Sequence, residues 1–188
     1  MTPPEQKIAL PSITFSDRLV IHRGNQKLHL MFLGRGHTAG DIVTYLPRER
    51  TVATGDLAHG ILPFIADGYP DEWPRTLAAL EQLDFTRLVP GHGAVQTGKG
   101  TLALFRGYLE ELNEAVKRGI ERGASLEELQ RTVTPKSLRS LSANDNGARI
   151  EREMSSAFGA PSGTTSPLIG GVATNVAHVY SYYTKQKG

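Results

Sequence analysis

Two histidines and one aspartate in this sequence stand where folds commonly gather side chains for chemistry. His37 lies in Gly36-His37-Thr38-Ala39-Gly40-Asp41, Asp56 in Thr54-Gly55-Asp56, and His92 in Pro90-Gly91-His92-Gly93. Each follows a stretch that reads as a β-strand, which places the three loops on one sheet edge, where open α/β folds collect their sites. Glycine beside each residue lets the backbone bend sharply and lets a ligand approach closely. Two imidazoles and a carboxylate make a mixed nitrogen and oxygen donor set that suits zinc, iron or manganese. The chain has no cysteine, so thiolate metal sites and disulfides are excluded. Taken singly, each signal is more often a turn than a ligand; the three in this order point to a site.

The elements that must position these loops are short strands first and helices later. Residues 12–20 and 27–33 read as strands, with Gly24 and Asn25 between them as turn residues. The second is apolar after Lys27, the pattern of a strand buried on both faces. Residues 42–46 and 51–54 make two more strands around a turn at Pro47. Asp71 is a candidate N-cap for a helix with Pro74 in its first turn and Leu77, Leu80 and Leu83 on one face. That helix is the crossover of a βαβ unit ending in a strand over residues 87–89. A long amphipathic helix follows over residues 101–122, with Leu102, Phe105, Leu109, Leu112 and Val116 at three- and four-residue steps. Gly123 stops it, and Ser125 with Glu128 offers a capping box for the next. Residues 140–147 read as a polar loop, 159–171 as a surface loop and 172–185 as a final helix. The class is α/β, a mixed sheet with flanking helices.

With 188 residues the chain fits one domain and can bury a core. Twenty-one basic and nineteen acidic residues give a net charge of only +2, and they form no basic block. Nucleic acid and anionic membrane surfaces therefore have no compositional support as partners, and a small-molecule substrate is expected. No apolar run approaches membrane-spanning length. Residues 1–6 are polar and proline-rich, unlike a secretory leader. The compartment stays open, with the cytoplasm as the default.

The order and placement of the three loops resemble the second half of the metallo-β-lactamase fold superfamily, whose pattern there is G-H-T-x-G-[DS], then G-D, then P-G-H-G. The spacings of 19 residues from His37 to Asp56 and 36 from Asp56 to His92 suit it. The resemblance implies an αβ/βα sandwich, of which this chain supplies one sheet and its helices. It further implies a site for two metal ions, zinc in the first instance, with His37 on the first, Asp56 bridging and His92 on the second. Asp41 and Thr38 would support the His37 loop by hydrogen bonding. Such ions lower the pKa of bound water, so that hydroxide attacks an ester, thioester, lactam or related bond near neutral pH. His59, three residues after Asp56, and Trp73 are candidates for the substrate pocket. Core packing is the competing reading for Trp73.

The superfamily's first-half pattern, H-x-H-x-D-H, does not occur in this chain. The expectation is one domain over residues 1–188, incomplete on its N-terminal side, with activity conditional on ligands from elsewhere. The bare sheet face that this implies fits a missing N-terminal half, a homodimer or an inactive truncated remnant. His29 reads as a sheet-face histidine, and His22 and His178 as solvated ones.

Overall fold

The computed structural model describes residues 9–158 and 166–185. A six-stranded sheet runs in the order β1 (Arg18–Arg23), β2 (Gln26–Phe32), β3 (Ile42–Leu46), β4 (Thr51–Gly55), β5 (Arg87–Pro90) and β6 (Gln96–Thr97). All neighbours are antiparallel except β4 and β5, which pair in parallel. Helix α1 (Trp73–Glu81) connects that parallel pair, because parallel neighbours need a crossover long enough to return to the same end of the sheet. Strand order therefore follows chain order throughout, and local pairing builds the whole sheet.

The β1 strand begins at Arg18, later than its composition suggests. Arg18 pairs with Met31 and the Phe32 amide donates to Asp17 O at 2.8 Å, so β2 offers no partner to earlier residues. The expectation that β2 is buried on both faces is also corrected: Leu28 to Phe32 are each half-buried. Helices cover one face only. Val43, Val52 and Leu88 on that face are fully buried, in one core with Trp73, Leu77 and Leu80 of α1. Leu102, Leu109, Leu112 and Val116 of α2 (Gly100–Glu121) complete it. On the opposite face, register aligns Leu19, Leu30, Thr44, Ala53 and Val89 across five strands. Ile21, Ile42 and Val89 remain exposed there.

The remaining helices are α3 (Leu126–Thr132), α4 (Arg139–Ser142), α5 (Asn146–Phe158) and α6 (Pro167–Lys185). Ser125 caps α3 by accepting from the Glu128 amide. Residues 140–147 are largely helical rather than a loop. The buried Asn146 side chain donates to Ser140 O at 2.9 Å, and Asn144 takes a left-handed turn (φ 51°), so polar residues make the corner between helices. Of the expected loop at 159–171, residues 159–165 lie outside the described residues and Pro167 to Gly171 are helical. Ser166 Oγ accepts from the Ile169 amide and Pro167 starts the helix, a start signal that the glycines mask. The N-cap of α1 is Glu72, while the Asp71 carboxylate accepts from Tyr182 instead. Among the described residues no helix is long and apolar enough to cross a membrane.

One buried amide fixes α6 against the core. Asn175 Nδ2 donates to Pro63 O at 3.0 Å and to the Tyr108 hydroxyl at 2.9 Å. Asn175→Ala leaves the buried Pro63 carbonyl without its donor, so it should destabilise the chain by about 1–3 kcal/mol in urea unfolding. A loss below about 0.5 kcal/mol would show that α6 is held otherwise.

Candidate metal centre

The parallel β4–β5 pair puts the ends of both strands at the same sheet edge, and two ligand-bearing loops leave from there. The Gly91 amide donates to Gly55 O at 2.8 Å and the Gly60 amide to His92 O at 2.7 Å. Gly55 bends the first loop at a positive φ of 52°, a conformation open to glycine at little cost. A Cβ on Gly91 would collide with the Asp56 carboxylate and the backbone at Gly55. Only a glycine there allows the two loops to lie this close.

Ligand-type atoms of Asp56, His59 and His92 all lie within 4.8 Å of one another. His59 Nε2 is 3.3 Å from Asp56 Oδ1, and His92 Nε2 is 3.4 Å from the same oxygen. The His59 and His92 rings meet edge to face at 5.2 Å. Burial separates them: the His59 side chain is 3% exposed, the His92 side chain 48%. The polar neighbours of the enclosed His59 ring are the Asp56 carboxylate and the Leu62 backbone. Burial pushes the His59 pKa down to about 4, with Asp56 pulling the other way, so the ring is neutral near pH 7. A neutral buried imidazole beside a carboxylate and a second imidazole fits a divalent cation.

His37 reaches the same cavity from the loop after β2 but stands outside that cluster. Its ring lies 6.0 Å from the His59 ring and packs edge-on against Trp73 at 5.8 Å. Asp41 closes its loop: the carboxylate accepts from the Thr38 amide at 3.0 Å and from the Thr38 hydroxyl at 2.7 Å. Both residues shape the loop and neither lines the cavity. Trp73 does not line it either. It is fully buried behind His37, with Nε1 donating to Leu57 O at 2.9 Å. Arg35, beside His37, is engaged by Glu72 and lies over the Tyr69 ring.

The cavity holds about 490 Å³, and its wall is mainly apolar. His37, Asp56, His59 and His92 occupy one part, and Ile61 to Phe64, Met154 and Asn175 supply much of the rest. The sequence reading missed the α5 clamp on both loops. Arg149 donates to Gly60 O at 2.6 Å, and Glu153 accepts from the Ala94 amide at 3.1 Å while bonding Arg149 at 2.7 Å. The i, i+4 spacing of Arg149 and Glu153 marks a helix ion pair. Nothing local marks loops some sixty to ninety residues away as its target.

Known proteins share part of this sequence and its fold. Residues 2–92 match the sequence model of the metallo-beta-lactamase superfamily. A metallo-beta-lactamase type 2 of Bacillus sp. (strain 170) is 33% identical over 78 residues, 38% of this chain and 30% of that protein. One from Bacteroides fragilis is 30% identical over 95 residues, 47% of this chain and 38% of that protein. The chain thus spans about a third of the length of these relatives. Among solved structures, a metallo-beta-lactamase from Pontibacter korlensis aligns with 54% of this chain and 50% of its own (TM-score 0.50, 29% identity). A stereoselective inverting sec-alkylsulfatase from a Pseudomonas species aligns with 93% of this chain and 27% of its own. Its TM-score is 0.62 at 16% identity, a likeness of fold that includes the helices after β6.

The buried His59 makes metal-free stability depend on pH. The unfolded chain protonates this ring near pH 6.5, whereas the folded chain resists until about pH 4. Stability is therefore full above pH 6.5 and falls as pH drops through that window, by up to about 3 kcal/mol. Urea unfolding of metal-free protein across the window should show this slope, reduced in His59→Gln. An equal slope in both proteins would contradict the assignment.

Proposed function

Residues 2–92 match the model of the metallo-beta-lactamase superfamily, and from that likeness we propose that the chain carries the substrate-side half of a metal-dependent hydrolase. The substrate is a small molecule with an ester, thioester, lactam or related bond beside an apolar group. The observation that carries this reading is the single cavity onto which His37, Asp56, His59 and His92 all open, next to an apolar wall. Zinc is the ion proposed, with iron or manganese compatible with the same donors. When bound, the ion lowers the pKa of water and polarises the bond to be cleaved.

The chain's own residues do the rest. Asp56 and His92 offer the metal-binding groups nearest solvent, since both are part-exposed. Ile61, Leu62, Pro63 and Met154 take the apolar part of the substrate and keep bulk water from it. Asn175 holds Pro63 in that wall through its carbonyl. His37, half-buried against Trp73, presents its ring to the same space and orients substrate. The bare sheet face fits a cover, either the superfamily's other half or a second copy of this chain.

Hydrolysis of an ester, thioester and lactam panel by the protein from its native source tests the function. The expected result is turnover of at least one class, abolished by chelation and reduced at least about 100-fold by His92→Ala. Turnover that survives chelation contradicts the proposal, and intact metal binding without turnover favours a non-catalytic module of the same fold. For the sheet face, sedimentation should find the chain associated with itself or with another polypeptide. A soluble monomer that binds no hydrophobic dye would contradict the cover.

A further inference from the structure

We propose that the apolar side of the cavity selects a substrate with an uncharged aliphatic chain, and that Met154 and Gly171 set the length and bulk of chain it accepts. The inference rests on the metal-dependent reading above and deepens it. Aliphatic acyl esters and thioesters fit this chain, and lactams that carry a carboxylate do not.

Charge is the first argument. Among the described residues no lysine or arginine lines the cavity. Two arginines on the surrounding elements are already engaged. Arg149 donates to Gly60 O, to Glu153 and to Asn146 Oδ1, and Arg35 is held by Glu72. Away from the candidate metal corner, a substrate carboxylate would lose water against apolar side chains and gain no counter-charge. Burial of an unpaired ion is strongly unfavourable.

The second argument is that the polar atoms of the wall are occupied within the fold. The Thr174 hydroxyl donates to Gly170 O at 2.9 Å, and Asn175 Nδ2 donates to Pro63 O and to the Tyr108 hydroxyl. What that side offers is hydrocarbon and a thioether, from Ile61 to Phe64 and from Met154. Phe64 is 57% exposed although it lines the cavity and meets the His178 ring edge-on at 5.8 Å. An aliphatic chain laid against Phe64 removes apolar surface from water.

The third argument is the meeting of three elements at one point of the wall. A Cβ on Gly171 would stand 2.8 Å from Leu62 Cδ1 and 3.5 Å from Met154 Cε. The α6 main chain therefore lies directly against the loop after β4 and near the tip of Met154 on α5. A side chain at position 171 must displace Leu62 or enter the cavity itself. Met154 is half-buried, and its unbranched thioether adapts to whatever lies beside it. Adding bulk at position 171 narrows the space, and truncating Met154 enlarges it.

Calorimetric binding of straight-chain alcohols from butanol to decanol to the native protein tests this without any need for turnover. Affinity should rise about threefold to fourfold per methylene until the chain outgrows the wall. An alcohol of equal length ending in a sulfonate, an anion that ligates metals weakly, should bind at least about 10-fold more weakly. In Gly171→Val the rise should stop at a shorter chain than in the parent, and in Met154→Ala at a longer one. Urea unfolding checks that both variants fold, and Gly171→Ala should move the stop the same way where valine is too large for the fold. Sulfonate-ended alcohols that bind as well as neutral ones, or a stop that moves in none of these variants, overturns the inference. Hydrolysis of para-nitrophenyl esters from acetate to decanoate separates it from the proposed function. Chain binding with these shifts but without chelator-sensitive turnover sustains the inference and overturns the function. Chelator-sensitive turnover that favours carboxylate-bearing lactams and ignores ester chain length does the reverse.

Discussion

The site depends on two loops lying side by side, and one hydrogen bond, from the Gly60 amide to His92 O at 2.7 Å, joins them beside the candidate metal-binding side chains. Parallel pairing of β4 and β5 makes this possible by ending both strands at the same edge. Antiparallel pairing would send the loops to opposite ends of the sheet. A register shift between Ala53 and Gly55 then turns the β4 end outward, where Asp56 meets both imidazoles. The absence of a side chain on Gly91 keeps the gap between the loops narrow.

Helices from the second half of the chain convert that edge into a cavity. Arg149 and Glu153 on α5 grip the loops by their main chain, which leaves the Asp56 and His92 side chains on the cavity. Asn175 on α6 holds Pro63 in the opposite wall. The result is a polar corner of three histidines and an aspartate against an apolar wall. Burying the His59 ring in its neutral form costs stability at low pH. The bare sheet face belongs to the same economy: its Ile21, Ile42 and Val89 await a surface that the described residues do not supply.

Much of this was legible in the sequence because it is local. Leu102, Phe105, Leu109, Leu112 and Val116 announce the buried stripe of α2 by their spacing, and all five are buried. Glycine-flanked loops after strands marked His37, Asp56 and His92, and all three side chains open on one cavity. What stayed hidden depends on distance in the chain. His59 sits in a loop of small and apolar residues with no sign that its ring is enclosed, since that needs the packing of Phe105 and the cavity wall around it. Trp73 read as either wall or core; its ring is fully buried and donates to Leu57 O, a partner sixteen residues away that the sequence does not mark. The helices at Asn146 and Pro167 were masked by polar and glycine-rich runs whose capping roles appear only with their partners.

The central claim is that Asp56 and His92, on the joined loop ends after β4 and β5, belong to a metal centre. Anomalous diffraction at the zinc edge, on crystals of the zinc-loaded native protein, tests it most directly. A peak within bonding distance of Asp56 and His92 is expected. No peak among these residues would contradict the claim.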